Sequence, residues 1–338
     1  MCLYIGSKKP LVAKKDIVVY KFVNIENGKY VTPFQHTPVK VNALMIAGGG
    51  SEDIVETNYR KYSINGGVIH ACTSSYDDEF DCNVCLKAYI KKDTEFWVQD
   101  DFKQVAARSL YITDEVVTDR QNTDITEICK MIIEDAPANK DGVRIGDVLL
   151  SDKTYASPLG VFDKSKVIGY VACFNPHDDN PIHVGLNNEY LPFLRNYEHK
   201  NSCQSDITSD KLTDDFEGYK HTYDIANADD YKAELFKAID YCINYKSEGT
   251  NKGDWHLGAT GEMIAIAKNL IFINSAIILV GKGETFNLNW YWTSSQYNDN
   301  QDVHSWSIDL KDGCCSILWN NRHYVFQVRP LLAFIKQV

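Results

Sequence analysis

The sequence has no long apolar run, and its basic residues are fewer than its acidic ones. Its 338 residues carry 35 Lys and Arg against 46 Asp and Glu, for a net charge of -11. Binding along a nucleic-acid backbone needs clustered basic side chains, so this balance argues against nucleic acid as a main partner. No stretch of about 18 apolar residues is present, and the first ten residues lack the apolar core of a signal peptide. We therefore expect no membrane span, and synthesis in the cytoplasm followed by association with a virion.

Patterns that would define a reaction centre are also missing from the sequence. No Ser/His/Asp arrangement and no pair of carboxylates has the spacing of catalytic groups. The 10 cysteines are irregularly spaced, and Cys314 and Cys315 are adjacent. We expect mostly free thiols instead of a disulfide framework. The sequence predicts a protein that is not an enzyme and that uses no cofactor.

Some residues could nevertheless ligate a metal ion. One histidine and three cysteines of the N-terminal part include a Cys-x-x-Cys pair: His70, Cys72, Cys82 and Cys85. Zinc takes four such ligands, and the alternation of the first two along a strand would point both to one face. A second tightly spaced pair is absent, so we favour buried or free thiols over zinc. Likewise, His177 and His183 are interpreted as a loop and a strand histidine, with metal ligation as the alternative.

Length and composition indicate two domains joined by a polar connection. Residues 1–115 are β-rich, and Asn27-Gly28 is a hairpin signal between strand-like runs. Residues 116–142 are predicted as a linker that contains one short helix over 124–133. The second domain is predicted over 143–338.

The second domain combines apolar strands with amphipathic helices. A buried strand is predicted over 167–174, and residues 196–223 are interpreted as a long polar surface insertion. Asp229 is predicted to cap a first helix, whose apolar stripe runs from Tyr231 to Ile243. Thr260 is predicted to cap a second helix.

The last fifty residues alternate regular framework with chemically unrelated residues. The framework pieces are Trp290-Tyr291-Trp292-Thr293-Ser294-Ser295, Ser305-Trp306, Asp312-Gly313 and Val328-Arg329-Pro330-Leu331-Leu332-Ala333-Phe334. These pieces, with Asp254-Trp255-His256-Leu257 upstream, resemble C-type lectin-like domains of gut Bacteroidetes and their phages. The resemblance covers roughly residues 140–338. It implies an α+β fold class: a C-type lectin-like C-terminal domain of two helices plus short strands, preceded by a smaller β-rich N-terminal domain.

Some members of that family are targets of diversity-generating retroelements, which rewrite codons that contain adenine. Asparagines beside chemically unrelated residues such as Trp319 are typical of such a variable protein. The resemblance thus implies a ligand- or receptor-binding protein with a diversified surface. Its partner would be a protein or glycan on a bacterial surface, as for a phage tail component. The resemblance is also compatible with a homo-oligomer. The candidate contact residues are Gln296, Asn298, Asn300, Asp302, His304, Cys314, Cys315, Trp319, Asn320, Asn321, Arg322, His323, Tyr324 and Phe326. Trp319, Arg322 and Tyr324 are the predicted anchors.

Three alternatives stay open at this point. The chain could be a structural virion component, in which many copies would be buried in a particle. It could be a relative of formylglycine-generating enzymes, although adjacent Cys314 and Cys315 are poorly placed for that chemistry. A calcium-dependent lectin is disfavoured, because Trp319-Asn320-Asn321 lacks the carboxylate that a hard cation prefers.

Overall fold

A computed structural model of the protein describes residues 3–5, 9–33, 35–48, 54–56, 62–64, 67–76, 82–195, 207–297, 304–310 and 316–333. The chain divides into two units, Met1–Met131 and Ile132–Val338. The boundary falls within helix α1, Thr126–Glu134. This helix confirms the short helix predicted over 124–133.

The N-terminal unit is built from β-strands. A nine-stranded sheet has the order β2-β10-β11-β8-β3-β9-β12-β5, with β4 paired to β3, and a three-stranded sheet has the order β1-β7-β6. The strands are β1 Leu3–Ile5, β2 Leu11–Val12, β3 Ile17–Glu26, β4 Lys29–Val31, β5 Ala43–Ile46, β6 Ile54–Glu56, β7 Tyr62–Ile64, β8 Ile69–Cys72, β9 Val84–Ile90, β10 Glu95–Val98, β11 Gln104–Ala107 and β12 Ser109–Val116.

The hairpin between β3 and β4 forms where the sequence predicts it. Asn27 and Gly28 both have positive φ, 49° and 73°, as a two-residue turn of this type requires. Glycine adopts that conformation without steric cost, and asparagine tolerates it. This turn sets the register in which Glu26 pairs with Lys29.

The C-terminal unit combines two sheets with four further helices. Its strands are β13 Val148–Leu150, β14 Tyr155–Ala156, β15 Val167–Phe174, β16 Pro181–Val184, β17 Glu189–Pro192, β18 Trp255–Leu257, β19 Trp290–Gln296, β20 His304–Asp309, β21 Ser316–Asn321, β22 Val325–Val328 and β23 Pro330–Ala333. The helices are α2 Gly218–Ala226, α3 Lys237–Asn244, α4 Thr260–Lys268 and α5 Leu270–Val280, and a 3-10 turn spans Lys164–Lys166. The sheets have the orders β14-β13-β15-β16-β23-β18 and β17-β22-β19-β20-β21.

The predicted fold class is wrong. Strands dominate both units in the described part of the chain, and the C-terminal unit has a six-stranded and a five-stranded sheet. It is therefore not the C-type lectin-like arrangement of two helices plus short strands. The helix predicted from the apolar stripe between Tyr231 and Ile243 is shorter than that stripe, because it spans Lys237–Asn244. A further helix, α2, begins inside the stretch interpreted as a surface insertion and ends three residues beyond it.

Both predicted helix caps also need correction. Helix α3 begins after Phe236, so Asp229 does not cap it. Helix α4 begins at Thr260, with Ala259 at the capping position. The N–H of Ala259 donates to the Glu262 carboxylate at 2.8 Å, so the acidic residue of the first turn satisfies this donor.

Among the described residues, no single helix has the length and apolar composition to cross a membrane. Helices α4 and α5 together reach both, but they are bent by 69° at their junction.

The five-stranded sheet is fixed to the unit by a buried core. Trp292 of β19 packs in one cluster with Phe193, Ile225, Leu257 and Val328, which come from separate segments. Arg329 alone separates β22 from β23, so one residue joins the two sheets. Its guanidinium donates to the Glu284 carbonyl at 2.9 Å and lies over the Phe286 ring.

Candidate functional site

Strand β21 presents two neighbouring residues on opposite faces of the five-stranded sheet. It pairs antiparallel with β20, and the register sets Trp319 opposite Trp306 and Leu318 opposite Ser307. Successive side chains of a strand alternate between faces, so Trp319 and Leu318 point to different sides. Trp319 is 48% exposed and Leu318 is 51% exposed.

The side of Trp319 carries a group of aromatic rings in mutual contact. The Trp319 ring stacks on Tyr297, with 5.4 Å between centroids and 9° between planes. His304 meets the same indole at 4.7 Å and 74°. Trp306 is buried, meets Tyr297 edge-on at 5.1 Å, and donates its indole N–H to the Ile207 carbonyl. We call Tyr297, His304, Trp306 and Trp319 the outer aromatic cluster.

A second aromatic group surrounds Phe326 of β22. Its ring lies 4.6 Å from Trp292 and 5.6 Å from Trp290, and 5.9 Å from Tyr324. Trp292 is buried, whereas Tyr324 is 54% exposed. Phe326 therefore connects the core of the unit to an exposed aromatic side chain.

Two of the predicted contact residues lie in the interior instead. Arg322 is only 1% exposed; it donates to the His304 carbonyl at 3.0 Å and the Ser305 hydroxyl at 2.9 Å. Its guanidinium also lies over the Phe193 ring. Gln296 is buried at the end of β19. Neither side chain belongs to the exposed surface. Arg322 therefore links neighbouring strands and is not a binding anchor for a ligand.

The predicted polar residues of this sheet are partly buried and bonded locally. Asn320 donates to the Ser307 hydroxyl at 2.8 Å, and the Asn321 side chain accepts the His323 N–H at 3.1 Å. Burial lowers the pKa of His323. The remaining predicted residues lie outside the described part of the chain: Asn298, Asn300, Asp302, Cys314 and Cys315.

Trp319 and Tyr324 do not share one strand. A turn separates the end of β21 at Asn321 from the start of β22 at Val325, and the Tyr324 N–H donates to the Asn321 carbonyl across it. Alternation along a single strand therefore does not relate the two side chains. Both are exposed because one lies on an edge strand and the other in a turn.

A buried polar network at the start of α4 was not predicted. Asp215 accepts hydrogen bonds from the Ser295 hydroxyl at 2.5 Å and from His221 Nε2 at 2.9 Å. The Ser295 hydroxyl accepts the Thr260 N–H at 2.9 Å, and the Asp215 carbonyl accepts the Gly261 N–H. These contacts satisfy the first donors of the helix from outside it. The carboxylate is also stabilised by the positive end of the helix dipole.

The network requires small residues and lowers one carboxyl pKa. A Cβ at Gly261 would lie 2.6 Å from the Asp215 carbonyl, and a Cβ at Gly218 would lie 2.2 Å from the Glu262 carboxylate. Burial alone would raise the pKa of Asp215, but hydrogen bonds from His221 and Ser295 outweigh it, and the pKa is lowered. The arrangement therefore favours a charged carboxylate.

This network is not a nucleophilic triad. In such a triad the histidine lies between the serine and the carboxylate and takes the serine proton. Here Asp215 lies between Ser295 and His221, and all three are buried. The role of the network is structural, because it holds the start of α4 against β19 of the five-stranded sheet. Sequence patterns do not predict this network, because Asp215 belongs to a polar stretch with no periodic pattern.

The candidate metal ligands of the N-terminal unit are placed on and near β8 and β9. His70 and Cys72 belong to β8 and Cys85 to β9, and Cys82 precedes β9. Within the described ranges, no group of three His, Cys, Asp or Glu side chains could hold a metal ion. Burial raises the pKa of Cys85 to about 11, with the nearby Cys82 adding to the shift. His183, by contrast, bonds to the Tyr155 hydroxyl and the Leu332 carbonyl.

Comparisons with known proteins give one distant likeness. No protein-family model matches the sequence, and no curated protein matches it. The chain is similar to a crystal structure of a fimbrial protein from Bacteroides ovatus ATCC 8483, with 12% identity and a TM-score of 0.42. The match covers 94% of this chain and 64% of that protein, so the chain spans less than two thirds of its length.

Proposed function

We propose that this chain is a binding protein, not an enzyme, whose contact surface is the outer aromatic cluster. The observation that carries the proposal is the half-exposed indole of Trp319, held by stacking on Tyr297 and by the edge of His304. A partner that covers this indole buries apolar surface. Binding loses little side-chain entropy, because the neighbouring rings already hold the indole in place.

The geometry of the cluster favours ligands with a flat apolar face. Tyr297 stacks on one face of the Trp319 indole and His304 meets the ring at 74°, yet about half of the Trp319 surface stays exposed. A sugar ring or a planar side chain of a protein can stack there. His304 adds a group that can donate or accept a hydrogen bond at the rim. The proposed partner is therefore a protein or glycan ligand on a bacterial surface.

The support below the cluster separates binding from folding. Arg322 and Asn320 link β21 and the turn after it to β20 through bonds to Ser305 and Ser307, on the face of the strand pair opposite to Trp319. Trp319 takes no part in these bonds. A surface held in this way can change its exposed side chains while its strands keep their register.

Replacing Trp319 with alanine should therefore remove binding and leave the fold intact. Truncating a central aromatic anchor costs about 2 kcal/mol or more, which is about 30-fold in affinity. The measurement is titration of the full chain against bacterial surface glycans and surface proteins, together with a melting curve for each variant.

Leu318→Ala is the matched control for that experiment. Leu318 is adjacent, almost equally exposed and on the opposite face, so its truncation should change affinity by less than about threefold, as for a surface position away from the contact. Equal losses in the two variants, or binding that survives Trp319→Ala, would place the contact surface elsewhere.

We also propose that this surface is diversified by a retroelement. Support comes from the concentration of asparagine and exposed aromatic residues in and beside β21, where exchange of an exposed side chain need not disturb the core. The neighbouring DNA is expected to contain a reverse transcriptase gene and a near-copy of the 3′ end of this gene. Differences between the two copies should fall at adenines; a locus without such a copy would contradict this part of the proposal.

A further inference from the structure

The N-terminal unit contains a pocket of about 280 Å³, which is near the lower end of volumes for small-molecule sites. Its floor is formed by buried residues of three strands, Lys21 of β3, Ile69 and Cys72 of β8, and Gln104 of β11. Its rim consists of exposed residues from the segment 35–37 and from the end of β5. The pocket is thus deep on the strand side and open at the rim.

Hydrogen bonds of Arg108 bring the two walls of the pocket together. Strands β5 and β8 lie far apart in the strand order of the sheet. The Arg108 carbonyl accepts the Ala47 N–H at 3.0 Å just after β5, and its guanidinium donates to the Gly67 carbonyl at 3.2 Å just before β8. Residues near the end of β5 and the start of β8 are therefore close enough to line one pocket.

Lys21 places a buried cation on the floor. The residue is 8% exposed, and its ammonium donates to the His70 carbonyl at 2.7 Å. Within the described part of the chain, no carboxylate pairs with it. Burial lowers the pKa of Lys21 to about 8, although the neighbouring thiols of Cys72 and Cys82 act in the opposite direction. An ordinary lysine pKa lies near 10.4, so this ammonium is poorly compensated.

The surroundings of the ammonium select the charge of a ligand. Burial, followed by the charge of Lys21, lowers the pKa of His70 to about 4, so its imidazole is neutral at pH 7 and adds no second positive charge. An unpaired buried charge is costly, and a counter-ion that reaches it recovers part of that cost. Met45 and Ile69 supply apolar wall on the side of Lys21. The pocket therefore suits an anionic head followed by an apolar body.

We propose that this pocket binds a small organic carboxylate, whose head pairs with the Lys21 ammonium and whose apolar body lies against Met45 and Ile69. The site is separate from the outer aromatic cluster and does not depend on the function proposed for that cluster. It gives the N-terminal unit a ligand site of its own.

The test is calorimetric titration of the full chain with hexanoate and, separately, with 1-hexanol. The protein is expected to bind hexanoate and to bind the alcohol at least tenfold more weakly. Lys21→Met, which replaces the cation by an apolar chain of similar length, should weaken hexanoate binding at least tenfold. Lys29→Met, at an exposed lysine of β4, should bind hexanoate as the unchanged protein does.

A filled-pocket variant keeps the proposal testable if Lys21→Met does not fold. Met45→Trp adds bulk to the wall without touching the cation and should abolish hexanoate binding. The proposal is overturned if the unchanged protein fails to bind hexanoate, or binds hexanoate and 1-hexanol equally. Undiminished hexanoate binding in a folded Lys21→Met or Met45→Trp variant would overturn it as well.

Discussion

Replacing Trp292 with alanine is expected to lower the free energy of unfolding by about 3–5 kcal/mol, the cost of deleting a large buried aromatic side chain. Trp292 is 1% exposed and packs with Phe193, Leu257 and Val328, so the deletion leaves a cavity among segments that cannot all move into it. The indole N–H also donates to the Leu191 carbonyl at 3.0 Å, and the substitution removes this bond. Urea denaturation followed by circular dichroism measures the loss.

Trp319→Ala is the natural comparison, since it makes the same chemical change on the neighbouring strand pair. Trp319 is half exposed, so its loss should cost only about 0.5–1.5 kcal/mol, the range for an aromatic pair contact such as its stacking on Tyr297. Similar losses at the two positions would mean that both tryptophans belong to one core, and would remove the distinction between framework and contact surface.

Asp215→Asn is expected to cost about 3 kcal/mol at neutral pH, because it removes a buried charged acceptor and leaves its hydrogen-bond partners unsatisfied. The amide cannot accept from both Ser295 and His221, and it brings a donor toward the Ser295 hydroxyl. Ser295 in turn holds the first free N–H of α4, so the damage extends to the start of that helix.

The same substitution should change how stability depends on pH. The folded-state pKa of Asp215 is lowered, so it lies below the unfolded value of about 3.9. Its contribution to stability is therefore complete above about pH 4 and is lost as the pH falls through the folded pKa. Denaturation between pH 2 and 7 should show that loss in the unchanged protein and a smaller loss in Asp215→Asn. Asp214→Asn, at the exposed neighbour, should keep the original profile; a steeper acid loss in Asp215→Asn would contradict the assignment.

Local signals in the sequence predicted local structure well. The turn at Asn27-Gly28 and the strand from Val167 to Phe174 follow from backbone preference and from an unbroken apolar run, and neither needs a distant partner. Helix α1 follows from its apolar spacing. The fold class was wrong because it followed from the resemblance of the tail and not from these local signals. Periodicity also placed the start of one helix too early, since in short apolar segments it does not separate a helix from a turn, as between Tyr231 and Phe236.

Tertiary partners explain the remaining errors. Helix α2 buries Gly218, His221 and Thr222, so the face that packs inward is mostly polar and gives no apolar stripe. The N–H groups of Thr260 and Gly261 at the start of α4 are satisfied by Ser295 and Asp215, which are distant in the chain, and only the Glu262 carboxylate marks this start locally. Composition likewise predicted an exposed aromatic at Trp319 but could not show that Arg322 turns inward to bond β20.

The position of β23 constrains how the protein is made. This strand lies between β16 and β18, and it joins His183 to Leu332, which are 149 residues apart. A nascent chain on the ribosome therefore carries β16 and β18 with open edges until β23 emerges. At roughly 5–20 residues per second, that interval lasts several seconds after β18 is made. During this time the exposed edges can pair with other chains. Chaperones that shield nascent strands should therefore matter more for the C-terminal unit than for the N-terminal one.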